Sequence, residues 1–144
     1  MKRSKLVLLV VALVTTVVLT GCGNQEKMLV CTQEASGVDI EFNVGFKGKV
    51  IKSMDFNYDM DLSKYSDTQI SAIEKQDFCN IVKRSMSQYK DAFTSCNQKV
   101  ASKHLKVDAT LDVNKVAKSV SDKLTTPEKT KEELEKQGYK CTIK

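Results

Sequence analysis

The chain has no tryptophan, one proline, one histidine and six glycines in 144 residues. A single proline excludes collagen-like and proline-rich segments. A single histidine leaves little room for a histidine-based metal site or a proton relay. No Cys-x-x-Cys pair occurs, so the spacing of a thioredoxin-like redox centre is missing as well. Long apolar runs are scarce too: there is one, Leu6–Leu19, interrupted by Thr15 and Thr16.

That run is too short for a comfortable membrane span, which needs roughly 20 residues. It follows a basic stretch of Lys2, Arg3 and Lys5, and it ends in Leu19-Thr20-Gly21-Cys22. Basic, apolar and small-residue segments in that order read as an export leader. Leu-Thr-Gly-Cys is the lipobox pattern of bacterial lipoproteins. It implies a diacylglycerol thioether on Cys22 and cleavage after Gly21. The predicted organisation is a cleaved signal peptide over 1–21, a lipidated cysteine with a short polar tether over 22–27, and one ectodomain over 28–144. The predicted location is the extracytoplasmic face of the cell membrane, held by lipid on Cys22.

Charge argues against nucleic acid as a partner. The formal net charge is +5, but three of the cations lie in the leader. What remains is +2, with both signs interspersed, which serves solubility more than it builds a binding stripe. Alternating Lys and Glu around Lys129, Lys131, Lys136 and Lys140 reads as a solvated helix face.

Four cysteines follow Cys22: Cys31, Cys79, Cys96 and Cys141. An even number in an exported domain reads as disulfides, with three possible connectivities. The favoured pairing is Cys31 with Cys141, first strand to last, and Cys79 with Cys96, helix to following strand. Free thiols, or redox or metal chemistry at Cys79 and Cys96, form the competing reading.

Periodicity supplies the fold class. Met28–Thr32 reads as a first strand. Val38, Ile40, Phe42, Val44 and Phe46 alternate with polar residues, and Val50, Met54, Phe56, Tyr58, Met60 and Leu62 continue the alternation, with Lys52 the one exception. Lys47-Gly48-Lys49 turns between them, which makes a hairpin. Leu105 to Val113 alternates again. Ser66 or Asp67 caps a helix predicted to run to about Gln88, with Ile70, Ile73, Phe78, Ile81, Val82, Met86 and Tyr89 on its apolar face. A short turn or helix uses Val116, Ala117 and Val120. Thr126-Pro127-Glu128 starts a last helix that Gly138 ends, and Tyr139–Ile143 is a short final strand. The expected fold is α+β: an antiparallel sheet with one long helix and one or two short helices packed on one face.

Candidate sites are few. Asp55, Asn57, Asp59 and Asp61 resemble the opening of a calcium loop. Met60 stands where that loop needs Gly, however, and Ser66 where it needs a bidentate Glu; a polar strand face explains the row. His104, in a turn, has no nucleophile motif beside it, and Asp77 reads as a surface residue. We expect no catalytic residue, metal or cofactor, and hence a non-enzymatic domain. Its partners would be the membrane, through Cys22, and an unidentified protein or small molecule.

The lipobox, the hairpin turn Phe46-Lys47-Gly48-Lys49-Val50 and the ending Glu133-Leu134-Glu135-Lys136-Gln137-Gly138-Tyr139 together resemble the YehR-like bacterial lipoproteins. The resemblance implies an α+β domain at the cell envelope. It implies no activity and no functional residues.

Overall fold

The structure, a computed structural model, describes residues 25–144. The leader and Cys22 lie outside the described residues. A six-stranded sheet dominates, with β1 (Glu26–Ala35), β2 (Val38–Lys47), β3 (Val50–Asp61), β4 (Phe93–Ala101), β5 (His104–Leu111) and β6 (Lys140–Ile143) in the order β4-β5-β3-β2-β1-β6. Every neighbouring pair is antiparallel. The first strand starts at Glu26, so the last two residues of the expected tether belong to it.

The period-two patterns turn into one apolar face. Leu29, Cys31, Phe42, Val44, Phe46, Met54, Phe56, Leu105, Val107, Ala109 and Leu111 are all buried on it. Register aligns them in rows. One row crosses all six strands as Cys141, Cys31, Phe42, Phe56, Ala109 and Cys96. The other face is polar and open.

The expected long helix is not there. In its place are α1 (Asp67–Glu74), α2 (Phe78–Ser85) and a 3-10 turn over Ser87–Ala92. Ser66 does cap α1, in a reciprocal capping box with Gln69. The helix then stops at Lys75 and restarts from a new cap, Asp77, whose carboxylate accepts from Asn80 N–H at 2.9 Å. Gln98 of β4 holds the break open: its carbonyl oxygen accepts from Phe78 N–H at 2.8 Å, and its amide donates to the Gln76 carbonyl at 2.8 Å. Two backbone groups that an unbroken helix would satisfy internally are satisfied from 20 and 22 residues away. The break also splits the predicted apolar stripe. Val82 is buried, whereas Ile81 is left 46 % exposed.

The fold is therefore sheet-dominated with short helices. A 3-10 turn (Val113–Lys115) and α3 (Lys118–Ser121) follow β5, and α4 (Pro127–Lys136), the longest helix among the described residues, has ten residues. Helix α4 starts at the Thr126 cap with Pro127 in its first turn. It buries Pro127, Thr130 and Leu134, spaced to share one face, against β1 and β6.

Two disulfides close the molecule at its edges. Cys31–Cys141 joins β1 to the edge strand β6, and Cys79–Cys96 joins α2 to the opposite edge strand β4. Both are the pairings favoured from the sequence.

Candidate functional site

Helix α2 ends at Met86, whose backbone (φ −99°, ψ 52°) leaves the helical region and starts the 3-10 turn. On the other side, α4 ends at Gln137, and Gly138 turns the chain into β6 with φ +95°. A side chain at Gly138 would be strained by that φ and would press on the Gln33 amide. Between these two helix ends lies a cleft of about 320 Å³. Phe42 forms its floor, Met86, Tyr89, Leu134 and Tyr139 its apolar walls, and Ser85, Ser87, Gln88 and Gln137 its polar rim.

Phe42 and Tyr89 meet edge to face, with ring centroids 5.9 Å apart and planes at 63°. Such a pair contributes roughly 0.5–1.5 kcal/mol beyond burial and fixes the Tyr89 ring. Burial, with smaller contributions from Tyr139 and Glu133, pushes the Tyr89 phenol up to about 12. Burial also raises Tyr139. Among the described residues neither hydroxyl bonds to protein, so both are left for water or ligand. The cleft thus offers an apolar floor with amide and hydroxyl partners at its mouth. That is the chemistry of a site for an amphipathic ligand, and its volume lies at the small end of ligand pockets.

The polar face of the sheet carries the acidic row. Asp55, Asn57, Asp59 and Asp61 do project together from β3, yet each is engaged by a neighbour. Asp59 meets His104 Nδ1 at 2.7 Å and Lys106 Nζ at 3.5 Å. Asp55 accepts from the Thr110 hydroxyl at 3.2 Å, and Asn57 donates to Glu41 at 3.4 Å. Asp61 accepts from Ser63 N–H at 2.8 Å, the main cause of its lowered pKa. Among the described residues no three His, Cys, Asp or Glu side chains converge on a metal position. His104 opens β5 rather than sitting in the turn, and it faces Asp59; among the described residues no serine hydroxyl or cysteine thiol is hydrogen-bonded to its ring. A shallow groove of about 580 Å³ crosses the far end of this face, with Glu34, Asp39, Glu41 and Asp59 opposite Lys140.

Sequence reading placed Met86 and Tyr89 on an apolar helix face and Tyr139 in a strand. It did not bring them together over Phe42. It also missed Gln98, a polar residue whose position in β4 gives no sign of what it captures.

The cysteines hold no free thiol among the described residues. Two disulfides mark a domain that folds in an oxidising, extracytoplasmic compartment. Among the described residues no helix is long and apolar enough to cross a membrane. No family model matches the chain, and no curated protein matches it. Among solved structures, an NMR structure of a protein from Streptococcus pneumoniae TIGR4 is similar, with a TM-score of 0.48 and 16 % identity, covering 82 % of this chain and 84 % of that one. A likeness at that level assigns no function.

Proposed function

We propose that this chain is an envelope lipoprotein, anchored through lipid on Cys22, whose folded domain binds an amphipathic ligand in the cleft over Phe42 and performs no chemistry on it. The cleft carries the reading. It joins a rigid aromatic floor to unbonded phenols and amides, whereas the acidic row Asp55, Asn57, Asp59 and Asp61 on the polar face is already engaged by its neighbours. The leader and lipobox support the anchor, and the disulfides suit the compartment. Kinship with the YehR-like lipoproteins belongs to the same proposal.

Photo-cross-linking in intact cells tests it. A benzophenone side chain at Gln88 or Gln137, on the rim, should capture a partner that the same group at Asn97, on the polar face, does not. Equal capture at all three positions would remove the cleft as the site. Thiol mapping of the protein isolated without oxidants separates the competing redox reading. Intact disulfides support binding, whereas reactive Cys79 and Cys96 would favour thiol chemistry.

A further inference from the structure

The two ends of the sheet differ. At one end the start of β1, the β2–β3 turn and the end of β6 come together. Glu26 pairs with Lys47, Gly48 N–H donates to the Gln25 carbonyl, and Met28 exchanges both backbone hydrogen bonds with Lys144. This end carries Lys27, Lys47, Lys49, Lys52 and Lys144. Of these, Lys27 has an ion-pair partner, Glu128 at 3.6 Å; the other four have none among the described residues. Glu26, the cross-strand neighbour of Lys47, is an acid at this end as well.

The same end carries exposed apolar groups. Three large hydrophobic side chains stand out to solvent among the described residues, and two of them are here: Val50, 56 % exposed in the turn, and Met28, 38 % exposed. A bulge shapes the surface. Gly45 pairs with Ser53 and Phe46 with Ile51, so Lys52 is the extra residue of β3. Any side chain at Gly45 would run into the Ser53 hydroxyl. The result is a groove of about 390 Å³ with Lys27, Lys52 and Lys144 around Met28 and Ser53. Lysines whose stems lie beside apolar groups, with ammonium heads free, suit a layer of anionic headgroups over acyl chains.

We infer that this end, with Lys47, Lys49, Val50, Lys52 and Met28 at its contact, is a docking face for an anionic phospholipid surface. The inference rests on the lipid-anchor reading for its geometry. Cys22 precedes Glu26 by four residues, a reach of at most about 14 Å, so the anchor leaves the chain at this same end. A tether alone would let the domain tumble. The basic face supplies a second, electrostatic contact that holds the strands upright on the bilayer. Gln137 and Tyr139 of the cleft then sit at the opposite end of β6, facing away from the lipid.

The test uses the full chain produced in bacteria and isolated from membranes. Intact mass first reports whether Cys22 is acylated. The acylated protein is placed in vesicles of phosphatidylcholine, with or without phosphatidylglycerol, bearing benzophenone at Val50 or at Lys64 near the opposite end. With phosphatidylglycerol present, lipid adducts at Val50 should exceed those at Lys64 at least about tenfold. Replacing Lys47, Lys49 and Lys52 by Glu should abolish the excess, and glutamine replacements should reduce it partway. Equal yields at the two positions, or capture of a protein instead of lipid at Val50 in cells, would overturn the docking face while leaving the anchor intact. An unacylated Cys22 would instead sink the anchor. The docking face is then judged by sedimentation of the unanchored protein with the same vesicles: binding that needs both phosphatidylglycerol and the three lysines sustains it, and no binding refutes it.

Discussion

The two edges of the sheet are stapled by different kinds of bridge. Cys31–Cys141 lies within the sheet, between directly paired residues with Cα atoms 4.1 Å apart, and both cysteines are buried. Cys79–Cys96 reaches out of the sheet to a helix, and both of its cysteines are half-buried. Yet the two end the same cross-sheet row, through Phe42 and Phe56. The first closes a long loop and secures the fold. The second closes a short one and secures the helix whose C-terminal end, Ser85–Met86, makes a wall of the cleft. An edge can thus be held for stability or for the shape of a site.

The largest effect should come from the buried bridge. Its sequence separation is 110, and removing a loop constraint of that size costs about 4–5 kcal/mol in the chain-entropy model. The Cys31→Ala/Cys141→Ala protein should melt roughly 12–20 °C lower by calorimetry. A drop of only a few degrees would mean that β6 is held mainly by α4.

The half-buried bridge spans 17 residues and should contribute about 3 kcal/mol. Access separates the two more sharply than energy does. A mild dithiol should reduce Cys79–Cys96 in the folded protein while Cys31–Cys141 survives until unfolding. Alkylation followed by mass spectrometry reads the order, and simultaneous reduction would mean that the two bridges do not differ in access.

Tyr89 tests the cleft side alone. Its phenol titrates near 10 when unfolded and at about 12 when folded. Between those values the unfolded chain has released a proton that the folded one retains. The stabilisation is therefore complete below pH 10 and is lost as pH rises towards 12, an effect on the order of 2 kcal/mol. The gap between melting curves at pH 9 and pH 11 should be smaller for Tyr89→Phe than for the native protein, part of it remaining through Tyr139, whose phenol burial also raises.

The smallest effect belongs to α4 behind the buried bridge. Thr130 is fully buried, and its hydroxyl has no partner among the described residues. Thr130→Val keeps the shape and removes an unpaired polar group, so stability should rise by up to about 1 kcal/mol in urea unfolding. A loss of more than that would point to a water bonded to the hydroxyl.

Much of this was legible because the signals are local. The β2–β3 hairpin follows from alternation around Gly48, and the Ser66, Thr126 and Gly138 helix ends follow from capping chemistry. The cysteine pairings followed from the order of the elements. The helix break was not legible, because the apolar residues from Ile70 to Tyr89 keep helical spacing across it. What breaks the helix is Gln98, a side chain from another element, together with Asp77, which looks like any surface acid. The cleft was hidden for the same reason. Phe42, Tyr89 and Tyr139 come from three separate parts of the chain: the register of β1 with β2 and β6 sets Tyr139 near Phe42, and the 3-10 turn after α2 brings in Tyr89.

The bridge between β1 and β6 also has a mechanical consequence. All of the chain between Cys31 and Cys141 lies inside a covalent loop, so tension applied at the two ends bypasses it. Among the described residues, 25–30 and 142–144 lie outside that loop, roughly 30 Å of chain at full extension. A load arriving along β1 crosses the sulfur bridge directly into β6, and the remaining strands, the helices between them and the cleft are shielded from it.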